Sequence, residues 1–434
     1  MDAAELDRRA RTHEGWTPPW LVSLLVEHGH LDVVRERAGF DWYCARALAG
    51  EVPLEDALVL LRPYADSGWW AAADAVSELL EACGRTDEAV ALVRPHAEGG
   101  ERLAVRRLAE LLARQGRTGE VIALLGPGIE DWYLADALVE LTEGCGRDDE
   151  VLALMPDPGR ECRGRCHDDA GDAGRRAKLL ERMGRVDEAV ELLHGFVLRD
   201  NVRYVNVAEQ LADLLARRGR EAELREFVAG DGTDHAAYRL AEWLSERGLV
   251  DEAADVLRPF ADGGSPNARW KLADLLKRNG RVDEAIEALR PEPGTGADDW
   301  IVRELWTLMA DHGRADEAVA VLDEIIAGSG DEEELLLQRI WLLDHCGRTE
   351  QAIAELRALH EAGADYLAHH LAHLLTDAGR LDEALTLLRP HTRHPHSAAE
   401  LMIRQGRVKE AVTLLEQYVP APLADDPWST EPPF

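Results

Sequence analysis

A single stretch, GRTDEAVALVRP from Gly84 to Pro95, returns throughout the chain. A glycine followed five residues later by Ala, Val or Leu recurs at Gly84, Gly116, Gly146, Gly184, Gly219, Gly248, Gly280, Gly313, Gly347, Gly379 and Gly406. A weaker copy, GHLDVV, starts at Gly29 and a stretched one, GEVPLEDA, at Gly50, which makes thirteen units. From Gly50 onward the glycines are 34, 32, 30, 38, 35, 29, 32, 33, 34, 32 and 27 residues apart. A unit near 33 residues cannot bury an apolar face by itself, so the chain must fold by stacking each unit on its neighbours. The variation in spacing belongs in loops.

Within each unit the pattern is helical. In RLAVRRLAELLARQGR, Leu108, Ala109, Leu111 and Leu112 recur at three- and four-residue spacing, the apolar stripe of a first helix, helix A, that ends at the glycine. Glycine supplies the left-handed residue that closes a helix, and the adjoining Arg85, Arg117, Arg185, Arg281 or Arg380 is expected to reach the last carbonyls. The following Asp and Glu fall in the first turn of helix B, where free amides and the dipole favour negative charge. Pro63, Pro95, Pro259, Pro291 and Pro390 are expected to stop helix B, with Gly-rich linkers such as HAEGGE and FADGGSPN after it. No segment of strand period interrupts the alternation.

These residues resemble the tetratricopeptide repeat. That family carries a small residue seven before the helix-ending glycine, here Ala109, Ala177, Ala212, Ala241, Ala273 and Ala372. A large apolar residue precedes it, here Leu108, Leu138, Leu211, Leu240, Leu272 and Leu371. The helix-B alanine is Ala89, Ala189, Ala253, Ala285, Ala318, Ala352, Ala384 and Ala411. The early helix-A Trp of the family is replaced by Ala73, Val105 or Ala135, and segments such as PHAEGGERLA also resemble the Sel1-like relatives. The resemblance spans residues 17 to 418 and implies an all-α, right-handed superhelical solenoid of about thirteen two-helix repeats. It further implies a non-enzymatic scaffold or adaptor that binds a protein or peptide segment in a concave groove lined by helix A. The expected organisation is a lead-in over 1–16, the solenoid over 17–419 and a Pro-rich tail over 420–434 carrying Trp428 and Phe434.

Composition narrows the partners. The 434 residues hold 83 Asp and Glu against 49 Lys and Arg, a formal charge of -34, which repels nucleic acid and anionic lipid. An apolar fraction of 46% is that of a folded protein, and the Arg and Ala richness fits a GC-rich genome such as an actinobacterial one. No run approaches the roughly 18 apolar residues of a membrane span, and the first fifteen residues lack an apolar segment, so a soluble cytoplasmic protein is expected. Six cysteines are too few for a disulfide scaffold and read as reduced, mostly packed thiols.

Catalytic signatures are missing where they can be tested. None of the four lysines (Lys178, Lys271, Lys277, Lys409) follows a glycine, so there is no phosphate-binding loop, and neither GxGxxG nor GxSxG occurs. Carboxylate pairs recur in a dozen equivalent places, which argues against any one being a general acid and base. No catalytic residue and no cofactor is assigned.

Partner-facing positions can be read off the repeat. Six before the glycine stand Glu78, Glu110, Glu140, Asp213, Glu242 and Asp274, interrupted only by Lys178, an acidic ladder. Ten before stand Asp74, Arg106, Asp136, Gly174, Glu209, Tyr238 and Trp270, and thirteen before stand Tyr133, His235, Asn267 and Trp300. Later units place Thr307, Trp341 and His373 on the ladder. Two readings compete. One is a groove for an Arg- or Lys-bearing segment, aided by cation–π contact; the other is the ordinary solvated face of an acidic protein.

Further readings are a regulatory sensor for a peptide or small ligand, and a metal-binding protein. Cys162, Cys166 and His167 (CRGRCH) bring two thiols to helical spacing but lack the second pair that zinc prefers. The other metal-like group is His360, His369, His370, His373, His391, His394 and His396, in which His369 and His373 lie one helical turn apart without a zincin glutamate. Incidental thiols and an exposed polar face are the competing explanations, and no metal is assigned.

Overall fold

The computed structural model describes residues 17, 19–158, 169–199, 202–230, 234–291, 298–328, 332–388 and 395–416, with single helical positions at Ala4 and Arg8. They fall into two units, Met1–Asp168 with Leu388–Phe434, and Asp169–Leu387. The first unit holds α1 (Pro19–Glu27), α2 (Leu31–Arg37), α3 (Trp42–Gly50), α4 (Leu54–Asp66), α5 (Trp70–Ala82), α6 (Thr86–Glu98), α7 (Arg102–Arg114), α8 (Thr118–Leu125), α9 (Trp132–Leu141) and α10 (Asp148–Leu154). The second holds α11 (Asp169–Arg182), α12 (Val186–Val197), α13 (Val205–Arg217), α14 (Glu221–Ala229), α15 (Asp234–Ser245), α16 (Val250–Asp262), α17 (Pro266–Arg278) and α18 (Val282–Leu289). It continues through α19 (Asp299–Asp311), α20 (Ala315–Gly328), α21 (Glu332–His345), α22 (Thr349–Glu361), α23 (Ala368–Asp377) and α24 (Leu381–Leu388). The chain then returns to the first unit with α25 (Pro395–Arg404) and α26 (Val408–Glu416).

Odd-numbered helices are the A helices and even-numbered ones the B helices of thirteen hairpins, so the fold is an all-α array of helical repeats. Among the described residues, the 35-residue unit after Gly184 adds a short strand pair to this pattern. There Leu198–Arg199 pairs antiparallel with Val202–Arg203, Leu198 opposite Arg203, and Tyr204 N donates to Val197 O at 3.0 Å.

The hinge glycine acts as its sequence suggests. At Gly84, φ is 74°, Gly84 N donates to Glu81 O at 2.9 Å and Arg85 N to Leu80 O at 2.8 Å, which satisfies the last carbonyls of α5. Gly50 is different: it is the last residue of α3 in helical geometry, and α4 starts after Pro53. The core is built from the small and large positions of the repeat. Ala109, Ala212, Leu108 and Leu211 are buried, as are Ala89, Ala253 and Ala384, and each buried Leu contributes roughly 1.5–3 kcal/mol.

Two expectations are corrected. Pro63, Pro95 and Pro259 do not end helix B but lie inside α4, α6 and α16. All three prolines are exposed, and so are Val59, Ala91 and Asp255 four residues before them. The carbonyls that lose an amide partner therefore belong to the solvent side, where water can satisfy them, and the kink cost falls. The helices stop three residues later, near Gly68, Gly100 and Gly264, all at positive φ. Pro291 does follow the end of α18, and Pro390 lies outside the described residues.

The second correction concerns the hinge arginine, whose guanidinium is held by carboxylates at Arg281 and Arg314 while its backbone N–H, as at Arg85, reaches the carbonyl. Arg281 forks onto Glu284 of its own repeat at 2.7 and 2.6 Å, and its Nη1 donates to Asp251 of the preceding repeat at 2.7 Å. Arg314 does the same with Glu317 and Asp283, and Arg220 joins Glu223 through Nε and Asp187 through Nη1. In these repeats the motif is thus a clamp: Glu holds the Arg of its own repeat and Asp holds that of the next, a part that Glu55 and Glu350 take for Arg85 and Arg380. Geometric fit of the planar fork to carboxylates explains why Arg fills the position.

Candidate functional site

The ladder residues sit on A helices, and none of them is buried. In the first unit Glu78, Glu110 and Glu140 occupy equivalent places on α5, α7 and α9, which pack side by side. Arg46 of α3 reaches Glu78 at 3.3 Å. Arg106 bridges two rungs, with Nε on Glu110 and Nη2 on Glu140, both at 3.0 Å. The Tyr133 ring lies against the same guanidinium, 4.9 Å from centroid to Cζ, and Arg102 is 4.6 Å from that ring. Asp136 is exposed on α9. Behind the rungs, burial raises the Asp74 carboxyl above its ordinary range, the Glu78 charge adds to this, and Arg107 and Arg46 oppose it.

The second unit repeats the arrangement with different residues. Asp213 of α13 is ion-paired with Arg239, whose Nε lies 2.6 Å away, and lies 3.1 Å from His235 Nε2, both from α15, and Arg239 also reaches Glu242. Asp274 pairs with Arg278 at 2.7 Å within α17. The Tyr238 hydroxyl lies 3.4 Å from Ser265 Oγ, which donates to Asp234 at 2.5 Å, and burial raises the phenol pKa. Trp270, with Lys271 Nζ 5.0 Å from its ring, and Trp300 at the start of α19 are half-buried. Lys178 is exposed on α11. Every acidic rung is therefore already met by an arginine of the chain, which lowers the bare negative field that the residue pattern alone suggests.

Sequence reasoning missed the position nine before the glycine. Arg107, only 9% exposed, sends Nε to Ser77 Oγ at 2.9 Å and Nη2 to Glu81 at 3.2 Å, tying α7 to α5. The only sequence signal is an arginine on the apolar stripe of α7.

The histidine group is divided by the structure. His369 and His373 share a face of α23, His370 packs toward Trp341 with ring centroids 6.0 Å apart, and His396 lies against Trp20 at 4.3 Å. Burial, then the neighbouring His369 and His373, push the His370 pKa down to about 4. Cys162, Cys166, His167, His391, His394 and the tail from 417 onward lie outside the described residues. Among the described residues, no three or more His, Cys, Asp or Glu side chains gather into a metal-holding group. No helix among them is long and apolar enough to cross a membrane.

A tetratricopeptide-repeat family profile matches residues 266–291, 366–390 and 396–417, three of the hairpins described above. A search of curated proteins finds no match. Among solved structures the chain is similar to one in the Naa15/Naa10 complex bound to HypK-THB, at 14% identity and a TM-score of 0.46, covering 96% of this chain and 76% of that one. It is similar to the maize pentatricopeptide repeat protein PPR10 at 19% identity and a TM-score of 0.35, over 96% of this chain and 63% of that one. The Cut9-Hcn1 hetero-tetramer of the APC/C supplies a third likeness, at 12% identity and a TM-score of 0.25, over 87% and 92%. All three TM-scores are low, so the assignment stands on the hairpin repeat, its buried Ala and Leu positions and the profile matches. The chain is a helical repeat protein similar to the tetratricopeptide-repeat family, with three of its hairpins matched directly.

Proposed function

We propose that the chain is a non-enzymatic, cytoplasmic scaffold that holds a segment of another protein against the accessible side chains of its A helices. The observation that supports this most is the separation of roles along helix A. Packing occupies the positions seven and eight before the glycine, while the position six before it carries a carboxylate in six of seven successive repeats and stays open to solvent. Packing alone does not ask for that regularity.

The partner segment on this reading carries Arg or Lys. Arg106 supports it as an internal stand-in: one guanidinium satisfies Glu110 and Glu140 together while resting on Tyr133. A partner's guanidinium would compete for the same carboxylates. Binding should accordingly be modest in strength and weaken with salt, since accessible charge pairs are readily screened.

Affinity capture from the native cell tests this with three baits: the unaltered chain, Glu110→Lys/Glu140→Lys, and Glu191→Lys, exposed on a B helix, as a charge control. A partner retained by the first and third baits and lost from the second supports the reading. Equal retention by all three would remove the ladder from it.

A further inference from the structure

We propose that the groove beside Asp56 receives an arginine side chain of a partner protein, in the role that the hinge arginine has in other repeats. Arg85 forks onto Glu88 with Nε and Nη2 at 2.7 and 2.9 Å and sends Nη1 to Glu55 of the preceding repeat at 3.2 Å. Arg281 does the same with Glu284 and Asp251. Counted from the buried helix-B alanines Ala57 and Ala89, Asp56 takes the place of Glu88. The residue that corresponds to Arg85, however, is Pro53, the N-cap of α4. Asp32, at the start of α2, takes the place of Glu55 one repeat earlier. Both carboxylates are exposed, and among the described residues neither has a hydrogen bond or an ion pair. The clamp therefore keeps its acid half in this repeat while its own chain supplies no arginine.

The surface beside Asp56 suits the rest of the side chain. Asp56 lines an open cavity of about 430 Å³ together with Val59, Leu60 and Pro63 of α4 and the residues just past α2. Tyr64 donates its hydroxyl to the Ala38 carbonyl at 3.0 Å, which ties the two sides of the groove together. Asp56, Val59, Leu60 and Pro63 follow at helical spacing, so carboxylate and apolar wall lie along one face. Val59 is 76% exposed, where the equivalent positions of two other repeats carry Ala91 and Asp255. An alkyl stem laid on Val59, Leu60 and Pro63 brings a guanidinium to Asp56, and the planar fork suits a carboxylate. Charge selects the occupant: an unpaired carboxylate on a chain of net charge -34 favours a cation over a neutral group. The groove lies on B helices, apart from the A-helix carboxylates of the ladder, and its occupancy does not depend on them.

The test is titration of the full chain, with its valine and leucine methyls isotope-labelled, with N-acetylarginine amide. Methyl NMR reads the response at Val59 and Leu60, with Val59 assigned from the signals lost in Val59→Ala. Saturable shifts are expected there. N-acetylcitrulline amide, which keeps the shape and removes the charge, should leave both residues unmoved. Asp56→Asn should weaken the arginine response at least about tenfold, the loss expected when a charged hydrogen-bond partner is removed. The remaining methyl signals should keep their positions in this variant, since Asp56 is exposed. Glu110→Lys/Glu140→Lys should leave the Val59 response as it is. No shift at Val59, an equal shift with citrulline, or unchanged affinity in Asp56→Asn would overturn the proposal. So would loss of the Val59 response in Glu110→Lys/Glu140→Lys, which would make the shift an effect of arginine bound at the ladder. Tighter binding of free L-arginine than of the capped residue would overturn the assignment to a protein partner.

Discussion

Seven residues before Gly313 the repeat's small alanine is replaced by Trp306, buried and therefore obliged to find an acceptor for its indole N–H. Gln338, nine before Gly347 and 2% exposed, provides it at 2.9 Å. Arg107 and Ser77 stand in the same relation, nine and seven before their glycines, so one helix A regularly serves the polar atom left on the helix A before it. Gln338→Leu should cost about 1–3 kcal/mol, the range for a buried donor left unsatisfied. Thermal unfolding measures it, and the loss should shrink when Trp306→Phe removes the donor. A loss of equal size in the Trp306→Phe background would trace it to packing. This coupling was not legible in the sequence because its chemistry changes from Arg–Ser to Gln–Trp, leaving no recurrent letter to notice. The Ala and Leu positions were legible because the same residue types return at the same offset.

Helices joined by a glycine hinge need a fixed register as well as a turn, and the hinge arginines supply it. Their effect on the carboxylates is uniform: the hydrogen bond from Arg281 holds the Glu284 carboxyl below its ordinary range, and Arg85, Arg117, Arg185, Arg314 and Arg380 do the same to Glu88, Glu120, Glu188, Glu317 and Glu383. A carboxylate with a lowered folded pKa stabilises the fold above its ordinary value, and that contribution is lost as pH falls through the lowered one. Glu284→Gln should therefore lower the melting temperature at neutral pH. The difference from the unaltered chain should close as pH falls below the ordinary carboxylate value of 4.5. A gap that stays constant as pH falls below 4.5 and on through the lowered value would mean that the fork acts through shape and not charge. The element scale is also where the sequence misled. A proline in RP reads as a helix stop, yet whether it stops a helix depends on which side the freed carbonyl lies. That is a property of packing, which no local pattern carries. The same holds for the ladder: the period located its carboxylates, but the arginines that answer them come from neighbouring repeats.

In the whole molecule, the first unit is assembled from two stretches far apart in the chain, and the contact that joins them is specific. α25 packs on α1, and the His396 ring stands edge-on to Trp20 with centroids 4.3 Å apart and planes at 78°. In a stack of repeats, each unit ordinarily feels only its neighbours in sequence, so loss of the last hairpin should leave the first untouched. Here that locality fails within the unit, because the face of α1 covered by α25 would be opened to water. A chain ending at Leu388 should therefore show faster amide exchange in α1 and α2, with α13 to α15 of the other unit unchanged. Trp20→Ala in the full chain separates the ring contact from the hairpin. It should raise exchange in both α1 and α25, because a contact that holds two elements protects each of them. Protection of α1 that survives truncation would show that α2 and α3 alone hold it, and would reduce the meeting of the chain ends to a contact without energetic weight.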